Sequence, residues 1–173
     1  LTSNGLLQGT PANDHVGEHI VSVRVTDQHG ASSEKSFELT VNNVNDAPTL
    51  EEIADTTIYE EDGFSYQLTA ADVDVGDALS FVGISLPSWL SLSETGLLSG
   101  TPDDPQIGTH AIVVQVTDAS GEAAQRHFNL TVNNVNDVPV FDFTPPSSAD
   151  EDASFSLSLL AIDPDSVHED VSL

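Results

Sequence analysis

The chain has 173 residues, of which 29 are acidic and three are basic, so its formal net charge is −26. That charge repels nucleic-acid phosphates and anionic lipid headgroups, which argues against nucleic-acid binding and against a basic membrane contact. The chain has no cysteine, which excludes disulfides, thiolate metal sites and cysteine nucleophiles. Its 38% apolar content is sufficient for a packed core. Neither a membrane-spanning run nor a signal peptide is evident, so we expect a soluble protein without membrane insertion.

Apolar residues alternate with polar ones along several segments, which is the pattern of half-buried strands. In chain order, the sequence predicts a hairpin at 27–30, strands at 53–59, 64–69, 79–85, 97–99 and 112–117, a hairpin at 118–121, and a strand at 128–133. No segment keeps the helical period over three turns, and turn residues recur about every 8 to 12 residues, as in β-sandwiches. The sequence therefore predicts an all-β chain in which the single tryptophan, Trp89, packs inward.

The sequence repeats itself with a period of 91 residues. The segment 5–11 (GLLQGTP) returns at 96–102 as GLLSGTP, and the segment 41–48 (VNNVNDAP) returns at 132–139 as VNNVNDVP. A period of this length is typical of one domain. We therefore divide the chain into the second half of one repeat (1–46), one complete repeat (47–137) and the first part of a third (138–173).

The two outer segments are complementary parts of a repeat, because 138–173 aligns with 47–82 and 1–46 aligns with 92–137. Two interpretations fit this arrangement. The chain is a window from a longer array, or two molecules exchange strands and complete each other's half-repeats, which would cover open strand edges. The partners expected are accordingly neighbouring repeats of the same protein or a strand-exchanged homo-oligomer.

Acidic residues and asparagines cluster at the ends of the predicted strands, at 60–62, 72–77, 103–104, 118 and 134–137. Calcium binds about six to eight hard oxygens, and an Asp-x-Asp loop turns two carboxylates toward one ion. Any single loop acid is ordinary in a turn. These clusters, however, recur at matching positions in a chain with almost no Lys or Arg to neutralise them. The sequence therefore predicts Ca²⁺ as the cofactor.

Two motifs resemble known repeats. The segment 43–48 (NVNDAP) resembles the calcium-binding linker of cadherin repeats, Asp-x-Asn-Asp-Asn-x-Pro, with Asn for the first Asp and one residue fewer before the Pro. The segment 95–102 (TGLLSGTP) is similar to the dystroglycan-type cadherin-like and putative Ig modules found in tandem in large bacterial surface proteins and adhesins. This resemblance covers the entire chain and implies tandem cadherin-like (Ig-like) β-sandwich repeats.

The cadherin resemblance also implies calcium at the joints between repeats, with ligands from both sides. At the lower joint, where 47–137 meets 138–173, the implied ligands are Glu61, Asp62, Asp103 or Asp104, Asn134, Asn136, Asp137, Asp163 and Asp165. At the upper joint, where 1–46 meets 47–137, they are Asp14, Asn43, Asn45, Asp46, Asp72, Asp74 and Asp118. The chain lacks the family's Asp-Arg-Glu motif and has a shorter linker, so we expect one or two ions per joint rather than three.

The resulting hypothesis is a calcium-rigidified spacer or adhesion module of an extracellular bacterial surface protein, since extracellular calcium is millimolar. The alternative is a carbohydrate-binding or homophilic cell-adhesion module, which an exposed aromatic platform would favour. Salt adaptation without specific ion sites is a third interpretation, but the exposed strand positions carry Ser, Thr, Gln and Asn. We expect no enzyme, because nucleophile, phosphate and dinucleotide motifs are absent and carboxylate pairs arise by chance among 29 acids.

Overall fold

The computed structural model describes residues 5–163 and residue 165. The strands are β1 Gly17–Thr26, β2 Ser32–Val41, β3 Thr49–Leu50, β4 Thr56–Tyr59, β5 Phe64–Gln67, β6 Ala70–Ala71, β7 Ser80–Ser85, β8 Leu90–Leu92, β9 Leu97–Gly100, β10 Gly108–Thr117, β11 Ala123–Asn133, β12 Val140–Phe141 and β13 Ala161–Ile162. Two single-turn 3-10 helices are η1 Asn13–His15 and η2 Asp104–Gln106. The predicted all-β class is confirmed. No helix in the described part of the chain has the length and apolarity to cross a membrane.

The complete repeat, 47–137, forms a β-sandwich. One sheet has the strand order β4-β11-β10-β7, in which β4 runs parallel to β11 and the other neighbours are antiparallel. The opposite layer consists of the sheet β5-β9-β8 and the short pair β3–β6. The predicted hairpin at 118–121 joins β10 to β11, and the one at 27–30 joins β1 to β2. The loops between these strands place the acidic residues at the two ends of the sandwich.

The hydrophobic core lies between the two layers because each strand turns alternate side chains inward. In β10 the predicted alternation is complete, with Ile112, Val114 and Val116 fully buried. Other members of the core are Leu50, Leu68, Leu90, Leu98, Phe128 and Leu130. The ring of Trp89 is partly buried, packs against this core and contacts the ring of His110 edge to face, with centroids 6.0 Å apart. The inward packing predicted for the tryptophan is confirmed.

The outer segments reproduce parts of this arrangement at the 91-residue spacing. Strands β1 and β2 pair in the same register as β10 and β11. Strands β12 and β13 pair in the same register as β3 and β6. Glu61 and its counterpart Asp152 both adopt positive φ, at 62° and 57°. The three segments therefore use one backbone design, which allows equivalent positions to be compared across the joints.

Candidate metal centre

Carboxylates from two repeats converge at the lower joint. Side-chain oxygens of Glu60, Asp104 and Asp165 lie within 4.8 Å of one another. Glu60 follows β4, and its backbone N donates to Asn133 O at 3.0 Å, which carries the β4–β11 pairing to the end of the sandwich. Asp104 opens η2, whereas Asp165 belongs to the following repeat. The cluster therefore bridges 47–137 and 138–173.

The linker between these repeats donates backbone N–H groups to the same carboxylates. Val135 N donates to Glu60 Oε1 at 2.6 Å, and Asp137 N donates to Asp165 Oδ2 at 2.6 Å. The second oxygen of each acid, Glu60 Oε2 and Asp165 Oδ1, is buried and has no hydrogen-bond partner among the described residues. Glu60 and Asp165 are only 2% and 3% exposed. Both oxygens are thus withdrawn from water without a protein donor.

The lower cluster disfavours negative charge. Burial raises the pKa of Glu60, and the nearby carboxylates of Asp104 and Asp165 raise it further, while the hydrogen bond from Val135 opposes them. Burial also raises the pKa of Asp137, and the adjoining acids of the joint add to that shift. Repulsion and loss of hydration both favour a neutral carboxyl. A bound cation would reverse both effects, because it neutralises the charges and replaces the lost water.

A second carboxylate cluster lies at the upper joint, where oxygens of Asp72, Asp77 and Asp118 approach within 4.8 Å of one another. Asp118 is fixed at the β10–β11 hairpin because its Oδ1 accepts the backbone N–H groups of residues 120–122 at 2.6–2.9 Å. Asp72 Oδ1 accepts Asp74 N at 2.9 Å, which closes the loop after β6. Asp72 Oδ2 and Asp77 Oδ2 are buried without a hydrogen-bond partner in the described structure. Burial and the adjoining carboxylates raise the pKa of Asp77.

The linker of the upper joint makes two hydrogen bonds to this end of the complete repeat and one to the preceding segment. Asn45 Nδ2 donates to Asp118 Oδ2 at 2.9 Å, and this bond, with those of the hairpin backbone, lowers the pKa of Asp118. Asp46 N donates to Asp74 Oδ2 at 2.8 Å, and Asn13 Nδ2 donates to Asp46 Oδ2 at 2.8 Å. Asp74 Oδ1 is buried and lacks a partner among the described residues. The joint is therefore ordered around acids that are not all satisfied by protein donors.

Basic side chains do not neutralise either cluster. The three basic residues, Arg24, Lys35 and Arg126, lie within β1, β2 and β11 rather than in the loops at the joints. Within the part of the chain that the structure describes, the one salt bridge pairs His15 with the neighbouring Asp14. Among the described residues, neither cluster is therefore paired with a basic side chain.

The structure brings together part of the predicted ligand set. Of the predicted ligands, Asp104, Asp137, Asp163 and Asp165 lie together at the lower joint, and Asn45, Asp46, Asp72, Asp74 and Asp118 lie together at the upper joint. The others, Asp14, Asn43, Glu61, Asp62, Asp103, Asn134 and Asn136, are exposed, and the acids among them belong to neither cluster. Calcium ligation by any of these residues stays a prediction.

Two cluster members, Glu60 and Asp77, are missing from the ligand set predicted from the sequence. Glu60 could have been found by continuing the alternation of β4, because Thr56 and Ile58 face inward and the next inward position is 60. Glu61 instead takes a φ of 62° and turns away from the sandwich. Asp77 lies in the acidic segment 72–77, but the prediction used only the Asp-x-Asp motif at 72–74 of that segment.

The sequence profile of the family described as "Putative Ig domain" matches residues 1–42 and 47–133, which is more than half of the chain. No curated protein matches the chain significantly. Among solved structures, domains 3–6 of the protocadherin gamma B2 extracellular region are 22% identical over 91% of this chain and 46% of their own, with a TM-score of 0.63. The structure of PcdhgB3 EC1–4 is 20% identical over 93% of this chain and 44% of its own, with a TM-score of 0.64. At these identities the similarity concerns the fold.

An endo-fucoidan hydrolase of glycoside hydrolase family 107, MfFcnA4, is 24% identical over 73% of this chain and 20% of its own. Its TM-score of 0.44 is too low for a structural argument. The chain spans less than half the length of each of these three structures.

Proposed function

The chain belongs to the Putative Ig domain family and has a cadherin-like fold, and we propose that it is a non-catalytic, calcium-binding spacer of an extracellular surface protein. In this proposal calcium binds where the repeats meet and stiffens the array. The fold by itself does not show that the chain binds calcium. The proposal therefore depends on the side chains present at the joints.

One observation carries the proposal. At both joints, buried carboxylate oxygens have no hydrogen-bond partner among the described residues. They are Glu60 Oε2 and Asp165 Oδ1 at the lower joint, and Asp72 Oδ2, Asp74 Oδ1 and Asp77 Oδ2 at the upper joint. A buried unpaired carboxylate costs several kcal/mol. Ordinary solvated turn acids avoid that cost by facing water. A hard cation such as calcium binds carboxylate oxygens and would satisfy these groups.

The residues present fit calcium better than a transition metal. All candidate ligands are oxygens, with no cysteine in the chain and no histidine in either cluster. Glu60, Asp104 and Asp165 would hold an ion at the lower joint, and Asp72, Asp77 and Asp118 would hold one at the upper joint. Calcium accepts such flexible oxygen sets, whereas soft metals prefer thiolate or imidazole. Extracellular modules bind calcium weakly, at about 10⁻⁴–10⁻³ M, which matches calcium levels outside cells.

Calcium at the lower joint would make its linker part of a rigid connection. Asp165 is contributed by one repeat and Glu60 by the other, so an ion that binds both restrains their relative movement. Without the ion the same carboxylates repel each other across the joint. We therefore expect calcium to raise the stability of the chain as well as its stiffness, because it binds the folded state and not the unfolded chain.

The test is thermal unfolding in calcium and in chelator, with a matched pair of variants. We expect calcium at 100 times its dissociation constant to add about 2.7 kcal/mol to the free energy of unfolding, or roughly 4–8 °C in Tm for each kcal/mol in a domain of this size. Glu60→Gln should lose most of this gain and should be more stable than the native chain in chelator, because it removes a buried, repelled charge. Glu61→Gln makes the same change at the exposed neighbour and should behave as the native chain does.

Equal melting temperatures in calcium and in chelator would contradict the proposal. So would an equal calcium response of Glu60→Gln and Glu61→Gln, since the ions would then lie elsewhere.

A further inference from the structure

The single-turn helix η2 supplies Asp104 to the lower cluster and needs contacts from outside to hold its shape. Carboxylate oxygens of Asp104, Glu60 and Asp165 lie within 4.8 Å of one another, so their charges repel and push η2 away from the joint. One turn of helix is too short to be stable by itself. The position of the Asp104 carboxylate therefore depends on how η2 is tied to the rest of the sandwich.

His110 in β10 ties the end of η2 to the sandwich. Its Nε2 donates to the backbone O of Gln106, the last residue of η2, at 2.6 Å. A carbonyl oxygen only accepts hydrogen bonds, so Nε2 carries the ring proton. The side chain of Gln106 in turn accepts the backbone N–H of Asp103 at 2.8 Å, which fixes the residue before the helix. The two hydrogen bonds together hold both ends of the turn that carries Asp104.

The ring of His110 is itself positioned by Trp89. The two rings meet edge to face, at an interplanar angle of 77°, and Trp89 packs against the hydrophobic core. A Cβ at position 100 would overlap the backbone O of Trp89, so Gly100 lets the tryptophan segment pack closely against β9. The indole N–H is buried and has no hydrogen-bond partner among the described residues. Contacts therefore run without interruption from the core through the two rings to the backbone of η2.

The same hydrogen bond occurs a second time in the chain. His19, 91 residues before His110, donates from Nε2 to the backbone O of His15, the last residue of η1, at 2.7 Å. The first residue of that turn, Asn13, also reaches the following linker, where its Nδ2 donates to Asp46 Oδ2 at 2.8 Å. In both repeats, a histidine therefore anchors the turn whose first residue extends into a joint.

We propose that His110 is a positioning residue for the metal centre at the lower joint. Through η2 it holds the carboxylate of Asp104 in place against the repulsion of the neighbouring acids, without binding the ion itself. This inference rests on the proposed function. Without the hydrogen bond the carboxylate would move away from the cluster, and binding of the ion would then include the cost of bringing it back.

The test follows calcium binding at each joint separately, by the amide NMR signals of the native chain and of variants. Val135 and Asp137, whose N–H groups bond to the lower cluster, report on the lower joint, and Asp46 reports on the upper joint. His110→Phe keeps an aromatic ring beside Trp89 but removes the donor. We expect it to raise the calcium midpoint at the lower joint about two- to tenfold, the factor contributed by one net hydrogen bond. The upper midpoint should not change.

Two further variants separate this role from a general loss of packing. His110→Gln restores an N–H donor and should recover most of the calcium affinity of the lower joint. His127→Phe makes the same substitution as His110→Phe at an exposed histidine of β11 and should change neither midpoint. In chelator, the backbone N–H groups of Gln106 and Ile107, which close η2, should exchange with solvent faster in His110→Phe than in the native chain.

Asp104→Asn provides the decisive comparison, because a positioning residue acts through the ligand that it positions. In the Asp104→Asn background, His110→Phe should have no further effect on the lower midpoint. Equal effects of His110→Phe in the two backgrounds, or no effect in the native chain, would overturn the inference and leave calcium binding in place. A native chain in which neither joint responds to millimolar calcium would contradict the proposed function as well.

Discussion

Asp55 holds the loop after β3 to the long strand β11 through two hydrogen bonds. Asn129 N donates to Asp55 Oδ1 at 2.7 Å, and Asn129 Nδ2 donates to Asp55 Oδ2 at 3.0 Å. These bonds, the backbone one foremost, lower the pKa of Asp55. The Asp55 carboxylate therefore binds a proton less tightly in the folded state than in the unfolded chain. The stabilisation is fully present above the ordinary Asp pKa of about 4 and is lost as the pH falls through the lowered value.

We accordingly expect Asp55→Asn to be less stable than the native chain at pH 7 and to differ from it progressively less as the pH falls below about 4. Urea unfolding in chelator at several pH values measures the difference between the two chains directly. Glu52→Gln, at an exposed acid of the same loop, should show no such convergence. A stability difference between Asp55→Asn and the native chain that stays constant with pH would contradict the role assigned to the ionised carboxylate.

The individual acids of the candidate site were only partly predictable from the sequence. Asp-x-Asp spacing predicted Asp72 and Asp74 as ligands, and the structure places both in one short loop at the upper joint. The prediction named Glu61 as a ligand, whereas the structure places its neighbour Glu60 in the lower cluster. The positions of the acids in the sequence do not reveal which of the two continues the alternation of β4. Burial decided the outcome, and burial depends on packing between strands that are distant in sequence.

Strand pairs that are equivalent in sequence differ in how much core they form. Leu130 in β11 is 0% exposed, whereas its counterpart Leu39 in β2 is 47% exposed. Truncating a buried leucine removes its transfer free energy and leaves a cavity, which costs about 2–5 kcal/mol. We expect Leu130→Ala to lower the stability of the complete repeat by that amount and Leu39→Ala by less than about 1 kcal/mol. Urea unfolding at sub-micromolar protein, where association is minimal, compares the two; equal losses would show that β2 is covered in solution.

The long central strands were predicted more accurately than the short ones. The alternation predicted for 112–117 in β10 and 128–133 in β11 was confirmed because the opposite layer covers these parts of the two strands. In β5 the predicted alternation placed Tyr66 inward, but the structure leaves it 39% exposed. Strand β5 is an edge strand that pairs with β9 alone, so less of the molecule covers it. The parallel pairing of β4 with β11 joins segments that are distant in sequence and has no local signature.

On the scale of the whole chain, an apolar face on residues 5–46 corresponds to the core of the complete repeat. Phe37 is 42% exposed, whereas its counterpart Phe128 is 5% exposed. Leu7, Val21, Phe37, Leu39 and Val41 line an open groove of about 560 Å³ together with the segment 8–11. In the complete repeat the equivalent face is covered by the first half of the same repeat, which includes Leu50 and Leu68.

Residues 138–162 are equivalent to the segment 47–71, which covers this face in the complete repeat. Phe141 and Leu159 stand at the positions equivalent to Leu50 and Leu68, and both are largely exposed. The pairing of β12 with β13 already reproduces that of β3 with β6. The linker contacts tie 5–46 to one end of the complete repeat and 138–162 to the other. Strand exchange between two molecules would place this cover on the groove.

We expect this polypeptide to associate head to tail, since the groove and its cover are different surfaces and such contacts propagate or close into rings. Sedimentation velocity between about 1 and 100 µM should show species larger than one chain that grow with concentration. Phe37→Asp should abolish the association by placing a charge in the groove, and Phe141→Asp should do the same from the other side. Neither substitution touches the core of 47–137, so the main unfolding transition should persist in both variants. A single monomer boundary for the native chain at the highest concentration would contradict strand exchange between molecules. The exposed face would then be covered only within a longer array of repeats.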